Sequence, residues 1–308
     1  MHAGDIASLE SRRSVARQRW WGEQTRWGIL CLLPTLLYLL TFVVFPVAFS
    51  LYLSFTSWDM VSADKPWVGL ENYGSLLQDA DFQRALGNTV YYSVGYVVLV
   101  VALSLALALL LDAKIKGVGF FRALYYTPSV VSVVAVSVVW VWIYEPTYGL
   151  LNAALAVVGL TPSRWLSDPS MAMPGVIIMM VWKNAGYFMV IYLAGLKGIP
   201  TSLYEAAAID GANWWGSFRH VTLPLLMPVT FFVTVMAMIN SFQVFGPIYV
   251  MTSGGPVKAT LVIAYYLYQQ AFQFFRMGYA SAIAYVLFAV ILVLTLVQTK
   301  WLGRGVSY

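Results

Sequence analysis

Two groups of polar residues stand out by type and spacing. One is the run at 205–224, EAAAIDGANWWGSFRHVTLP, a water-compatible stretch lodged between two long apolar segments. Ser202 and Glu205 stand in the S-x-x-E relation of a capping box. There the hydroxyl takes the backbone N–H of the glutamate and the carboxylate reaches back to the cap. Residues 203–210 are rich in helix formers, Ala206 and Ala207 among them. Asp210 is followed by Gly211, the residue that most readily takes the left-handed turn ending a helix. Pro200 and Pro224 brace the two sides. What such a unit offers is mechanical: a short stiff helix across one mouth of a bundle, which another protein could grip. The second group lies inside apolar segments. Lys183 and Tyr187 share a helical face with Asn184 nearby, and Asn240 and Gln243 share another, with Phe242 and Phe245 beside them. Lys183 either snorkels to the headgroups or faces an internal cavity. Asn240 and Gln243 are also suited to hydrogen bonding between helices.

Composition says which elements must carry these groups. Of 308 residues, 60% are hydrophobic and 10% charged, with a mean hydropathy of +0.75. A soluble domain averages about 25% charged residues, so most of this chain must be solvated by lipid. A hydrocarbon core about 30 Å thick needs about twenty apolar residues per helix. Six segments qualify: 28–53, 89–111, 123–144, 173–196, 225–250 and 280–300. The expected fold is an all-α membrane protein of six transmembrane helices, with an N-terminal segment at 1–27 and a polar loop at 197–224. The first span is too long for a signal-peptide core and no small-x-small cleavage site follows it. Pro34 and Pro46 point to a kinked, retained helix.

Lys and Arg set the orientation. Arg12, Arg13, Arg17, Arg19, Arg26, Lys114, Lys116, Arg122, Lys197, Arg219, Lys300 and Arg304 fall on one side. They outnumber Lys65, Arg84, Arg164, Lys258 and Arg276 on the other. Both termini and the loop at 197–224 are therefore expected in the cytoplasm. The net charge of +5 follows from this asymmetry and does not point to nucleic acid. Segment 54–88, patterned around Trp67, Leu70, Tyr73 and Leu76, reads as lying along the membrane surface. Segment 259–279, with Tyr265, Tyr266, Tyr268 and Phe272, reads as interfacial too.

Bond-making chemistry is missing. No G-x-x-x-x-G-K-[ST] phosphate loop or H-E-x-x-H occurs. The histidines are His2 and His220, and the single cysteine is Cys31. These supply neither a disulfide framework nor a four-ligand metal site. Every Asp and Glu lies outside the six spans, whereas carriers driven by protons or sodium commonly place carboxylates in mid-membrane. If this chain moves a solute uphill, the energy is expected to come from another subunit. A stand-alone channel or facilitator is the other reading.

Glu205, Ala206 and Ala207, then Gly211, then Val221, Leu223 and Pro224 resemble the EAA signature of permease subunits in bacterial binding-protein-dependent ABC importers. The likeness extends through Gly69 to Tyr73, Asn88-Thr89, Phe121-Arg122 with Tyr125 and Pro128, and Leu193 to Leu196 with Pro200. It continues at Thr252, Gly254-Gly255-Pro256, Tyr268, Ala271-Phe272 and Gly278-Tyr279. Together these resemble the carbohydrate-uptake, MalF-like branch.

The resemblance implies a type I importer permease fold with a short cytoplasmic coupling helix, in a bacterial inner membrane. It implies a second, MalG-like permease, an ATP-binding cassette ATPase dimer inside and a solute-binding protein outside. ATP and Mg would be bound by the ATPase, leaving this chain without cofactor or catalysis. Glu205, Ala206, Ala207, Asp210, Gly211 and Pro224 would form the ATPase-coupling site. Glu205 would add a charge pair to its capping role, and Asp210 also reads as a solvated loop residue. Trp214, Trp215 and Phe218 read as membrane anchors or as contacts for the ATPase. Lys183, Asn184, Tyr187, Asn240 and Gln243 would line the substrate path, because a sugar needs amide and hydroxyl partners with an aromatic platform. Sugars, polyols and glycerol phosphates all fit this branch.

Overall fold

The first apolar stretch passes through both of its prolines as one helical span, Arg26–Ser54. Helix α1 (Glu23–Leu39) runs through a π turn at Leu40–Val44 into α2 (Phe45–Ser54). In that wider turn the Phe45 N–H reaches Leu40 O, and Pro46, which has no N–H to offer, follows it at the start of α2. The computed structural model describes residues 23–112 and 116–302. Most of the segment 1–27, with Arg12, Arg13, Arg17 and Arg19, lies outside the described residues, as do Lys114 and Arg304.

After α2 the chain makes one isolated bridge, Thr56 to Trp67, and enters α3 (Glu71–Gln78). Leu76 is buried and the Tyr73 hydroxyl donates to Ser54 Oγ at 2.7 Å, while Trp67 and Leu70 stay exposed. Asp79 then starts α4 (Ala80–Leu111): its Oδ1 accepts the N–H groups of Asp81 and Phe82 at 2.9 and 3.3 Å. At 1.5 Å per residue these 32 residues span about 48 Å, well beyond the hydrocarbon thickness. Its inward stripe, Ala85, Thr89, Tyr92, Tyr96 and Val100, follows the helical repeat.

The expected third span, 123–144, is two helices. Helix α5 (Val118–Val130) and α6 (Val133–Ile143) meet at 99°. Pro128 removes a backbone donor near the end of α5, and Val131 and Ser132 are extended, with ψ of 143° and 132°. A short helix, α7 (Leu150–Val157), follows outside the expected spans. Helix α8 (Ala172–Lys197) is the most deeply buried of the long helices, packed by α4 on one side and α5 on another. Small residues allow the approach: Ser104 of α4 donates to Ala185 O at 3.0 Å. A Cβ on Gly186 would lie 1.9 Å from Tyr125 O of α5.

Beyond α8 come α9 (Thr201–Ile209) and the segment α10 (Trp214–Leu225), which meets α11 (Met227–Phe242) at 65°. The apolar stretch 225–250 is therefore not one straight span. It breaks first near Pro224 and Pro228, then again at Gln243–Phe245, before α12 (Gly246–Met251). Pro247 fits the second break: it has no N–H to give Gln243 O and its ring would clash with that carbonyl, so α11 cannot run on and Pro247 sits instead in the first turn of a new helix.

Helix α13 (Ile263–Tyr268), a π turn at Gln269–Gln273 and α14 (Met277–Leu302) complete the described chain. The aromatic residues of segment 259–279 do not all face outward. Tyr265 and Tyr266 are buried against α4 and α14, although Phe272 remains exposed. The segment is drawn inward by Asp79, whose Oδ2 accepts from Tyr266 Oη at 2.5 Å and Tyr279 Oη at 2.6 Å.

Burial acts to raise the Asp79 carboxyl, but the two tyrosines and the capped N–H groups outweigh it and hold the pKa below its ordinary 3.8. A depressed folded-state value means stabilisation that is present above 3.8 and lost as pH falls through the lower folded value. Asp79→Ala is expected to cost about 2 kcal/mol at neutral pH, from a lost cap and lost charged hydrogen bonds. Thermal melts of the purified protein check this, and the gap from wild type should close as the pH is lowered into that acid range.

Candidate coupling helix and polar path

Helix α9 begins with Pro200 in the cap position, its φ of −59° already suited to a helix start. No side chain caps it. The expected Ser202–Glu205 capping box is absent because Ser202 is already inside the helix, so its hydroxyl is not placed at the cap. The other end forms as expected. Gly211 has φ +79°, Gly211 N donates to Ala208 O at 3.1 Å, and Ala212 N donates to Ala207 O at 2.9 Å. That pair of bonds is a Schellman turn, and it satisfies carbonyls the helix end would otherwise leave open.

The loop then folds back. Asn213 Oδ1 caps α10 by accepting from Gly216 N at 2.8 Å. Tyr204 Oη and Thr222 Oγ1 lie 3.0 Å apart, tying α9 to the start of the next span. Trp214 stacks on Phe218 at 5.8 Å between ring centroids, with Trp215 against both. No residue of α9 is buried. Glu205, Asp210, Gly211 and Pro224 are all exposed, as is Ala206, and Ala207 is half-buried. Ile209 is 87% exposed, more than either tryptophan. Motif spacing does not single it out, although an isoleucine one position before the cap of a solvent-side helix is a visible signal. The unit is stiffened at both ends and exposed over most of its length.

The residues expected to line a path divide into two sets. Lys183 is buried, and its Nζ donates to Ser129 O of α5 at 3.2 Å, so it does not snorkel outward. Asn184 donates to Tyr96 Oη of α4 at 2.8 Å. Tyr187, Asn240 and Gln243 are exposed, on α8, on α11 and just after α11. Helices α8 and α11 pack together and both pack on α4. Near the end of α11, Phe245, Tyr249 and Tyr268 form an aromatic cluster with centroids 5.2–5.6 Å apart, extended by Phe272 at 5.5 Å from Tyr268.

A family model described as "binding-protein-dependent transport system inner membrane component" matches residues 114–308. The chain belongs to this family. It is 39% identical over 280 residues to the probable ABC transporter permease protein YurN of Bacillus subtilis, covering 90% of this chain and 96% of that one. It is 36% identical over 285 residues to the trehalose/maltose transport system permease protein MalF of Thermococcus litoralis, covering 92% and 95%. The fold is similar to a solved bacterial ABC transporter involved in import of the acidic polysaccharide alginate. That match has a TM-score of 0.81 at 26% identity, covering 96% of this chain and 100% of the other. A bacterial alginate ABC transporter in complex with a periplasmic protein carrying an alginate pentasaccharide matches with a TM-score of 0.80 at 26% identity, covering 92% and 97%. This chain is an inner-membrane permease of an ABC importer, and the helical bundle described above is the fold of that class.

Proposed function

We propose that the chain carries a sugar or a related polar solute, glycerol phosphates included, across the membrane, and that α9 is the helix through which an ATPase drives it. The observation that carries the reading is α9 itself. It is a short helix with no buried residue, exposed over most of its length and joined to the most buried span through Gly198–Pro200. In this reading Glu205, Ala206, Ala207, Asp210, Gly211 and Pro224 meet the ATPase, and Trp214 and Trp215 flank the contact. ATP and Mg sit on that partner dimer, and this chain performs no catalysis. A second, MalG-like permease completes the path, a solute-binding protein delivers from outside, and both termini and α9 face the cytoplasm.

A carbohydrate cargo is supported by relatives named for trehalose/maltose and for multiple sugars. It is also supported by the exposed Tyr187, Asn240 and Gln243, which offer hydroxyl and amide partners, the latter two close in sequence to the Phe245 cluster. Reconstitution of the permease pair with its ATPase and binding protein in liposomes tests this. The expected result is sugar uptake that requires ATP and is abolished by vanadate. Uptake by the permease without the ATPase would replace the reading with a facilitator. Asn240→Ala and Gln243→Ala together are expected to lower uptake about tenfold, the scale of one or two lost hydrogen bonds, while the complex still assembles.

A further inference from the structure

Several tyrosine hydroxyls in the bundle have a fixed partner: Tyr266 and Tyr279 donate to Asp79, and Tyr144 donates to Gly175 O. Among the described residues, Tyr249 and Tyr268 give theirs to no carboxylate and no backbone carbonyl. Their rings instead gather with Phe245 and Phe272 into one group, built from the start of α12, from α13 and from the π turn after it. Helix α12 rests on α6 and α8, and α13 on α4 and α14, so the group joins two sides of the bundle beyond the end of α11. Tyr249 is 45% and Phe272 52% exposed, which leaves ring surface open to a ligand. Boundary anchors form a belt around a bundle, whereas these rings are collected on one another. The π turn that carries Phe272 is a device found mostly at functional sites. In the orientation proposed above, this end faces outward.

The face of an aromatic ring is negative. A pyranose is its complement, because axial C–H groups give it a flat, slightly positive face while its hydroxyls point outward around the rim. An open-chain polyol has no fixed C–H face, and a phosphate would meet the rings on their negative side. Nothing here would neutralise that phosphate. Among the described residues the cations lying over rings are Lys65 at Trp58 and Arg276 at Tyr279, outside this group. The buried Lys183 donates to Ser129 O. We propose that Tyr249, Tyr268 and Phe272 form an outer subsite for the face of a pyranose ring, with Asn240 and Gln243 at the adjoining end of α11 for its hydroxyls. The cargo then contains at least one pyranose unit. This rests on the carbohydrate reading above and narrows it, since glycerol phosphates and open-chain polyols are excluded.

The test uses the complete importer with its binding protein in liposomes, and labelled maltose, trehalose, raffinose, sorbitol and glycerol 3-phosphate as probes. Uptake is expected for one or more of the three ring sugars and for neither of the other two. Tyr268→Leu and Phe272→Leu should each lower ring-sugar uptake about tenfold, the scale of one lost ring contact, while the complex still assembles. Tyr268→Phe and Phe272→Tyr, which keep a ring, should retain most of it, a rescue that mere filling of space would not give. Leucine variants that import at the wild-type rate would overturn the subsite, and the rings would then be boundary anchors. Uptake of sorbitol or glycerol 3-phosphate, or of no ring sugar, would overturn the pyranose requirement and leave ATP-driven import of a polar solute standing. Ring-sugar uptake that needs no ATPase would instead overturn the coupling reading, with the dependence on the rings still measurable.

Discussion

A Gly211→Val permease is expected to fold and assemble, yet import at a tenth or less of the wild-type rate. The reason is local. At φ +79° the backbone of Gly211 is left-handed, which costs a residue with a Cβ roughly 1–2 kcal/mol, and a β-branched one more. Open space surrounds the position, with no atom within 4 Å of an added methyl, so nothing in the bundle is displaced. What is lost is the turn that takes up the carbonyls of Ala207 and Ala208. A nine-residue helix has little stability of its own, so its last turn unravels and the push from the ATPase is absorbed there. ATP-driven uptake and ATPase co-purification, measured side by side, check this. Gly211→Ala should fall between, because alanine keeps the penalty for a left-handed backbone without the β-branch. Normal uptake by the valine variant would remove the coupling role from this turn.

Gly186→Ala is expected to fail in the opposite way, through loss of the fold. The added methyl would lie 1.9 Å from Tyr125 O, 2.5 Å from its carbonyl carbon and 2.9 Å from Tyr126 Cα. All three are backbone atoms of α5, and none can swing aside as a side-chain tip would. Helix α5 must lift from α8, which stretches the Lys183–Ser129 bond and opens a gap in a closely packed layer. Overpacking against side chains typically costs 1–3 kcal/mol and backbone yields less readily, so a loss of about 3 kcal/mol or more is expected. Against a total stability on the order of 5–15 kcal/mol, the yield of detergent-stable protein should drop sharply. Size-exclusion profiles and melting temperatures decide it. A wild-type melt would mean that α5 does not sit on α8 as described.

These two glycines also show how much of the fold is legible in the chain alone. Gly211 is legible because its task is local: a helix-forming run, then a glycine, is the signal of a helix end. Gly186 carries no such mark, since its neighbour across the gap, Tyr125, is distant in sequence. The same division runs through the rest of the protein. The family is legible in the spacing of Glu205, Gly211 and Pro224, and the membrane bundle in long apolar runs with few charges, both properties of contiguous sequence. The Ser202–Glu205 capping box does not form because the helix starts from Pro200, which places Ser202 inside it.

Apolar content by itself determined that this chain lives in lipid, and a glycine after alanines determined where its exposed helix stops. Tertiary structure alone decided that Tyr266 turns inward to Asp79 and that Lys183 finds Ser129. Those partners stand 187 and 54 residues apart. A run of hydrophobic residues encodes the preference for lipid but not which distant carbonyl or carboxylate a buried polar group will meet, and an unmet polar group in a membrane is too costly to leave to chance.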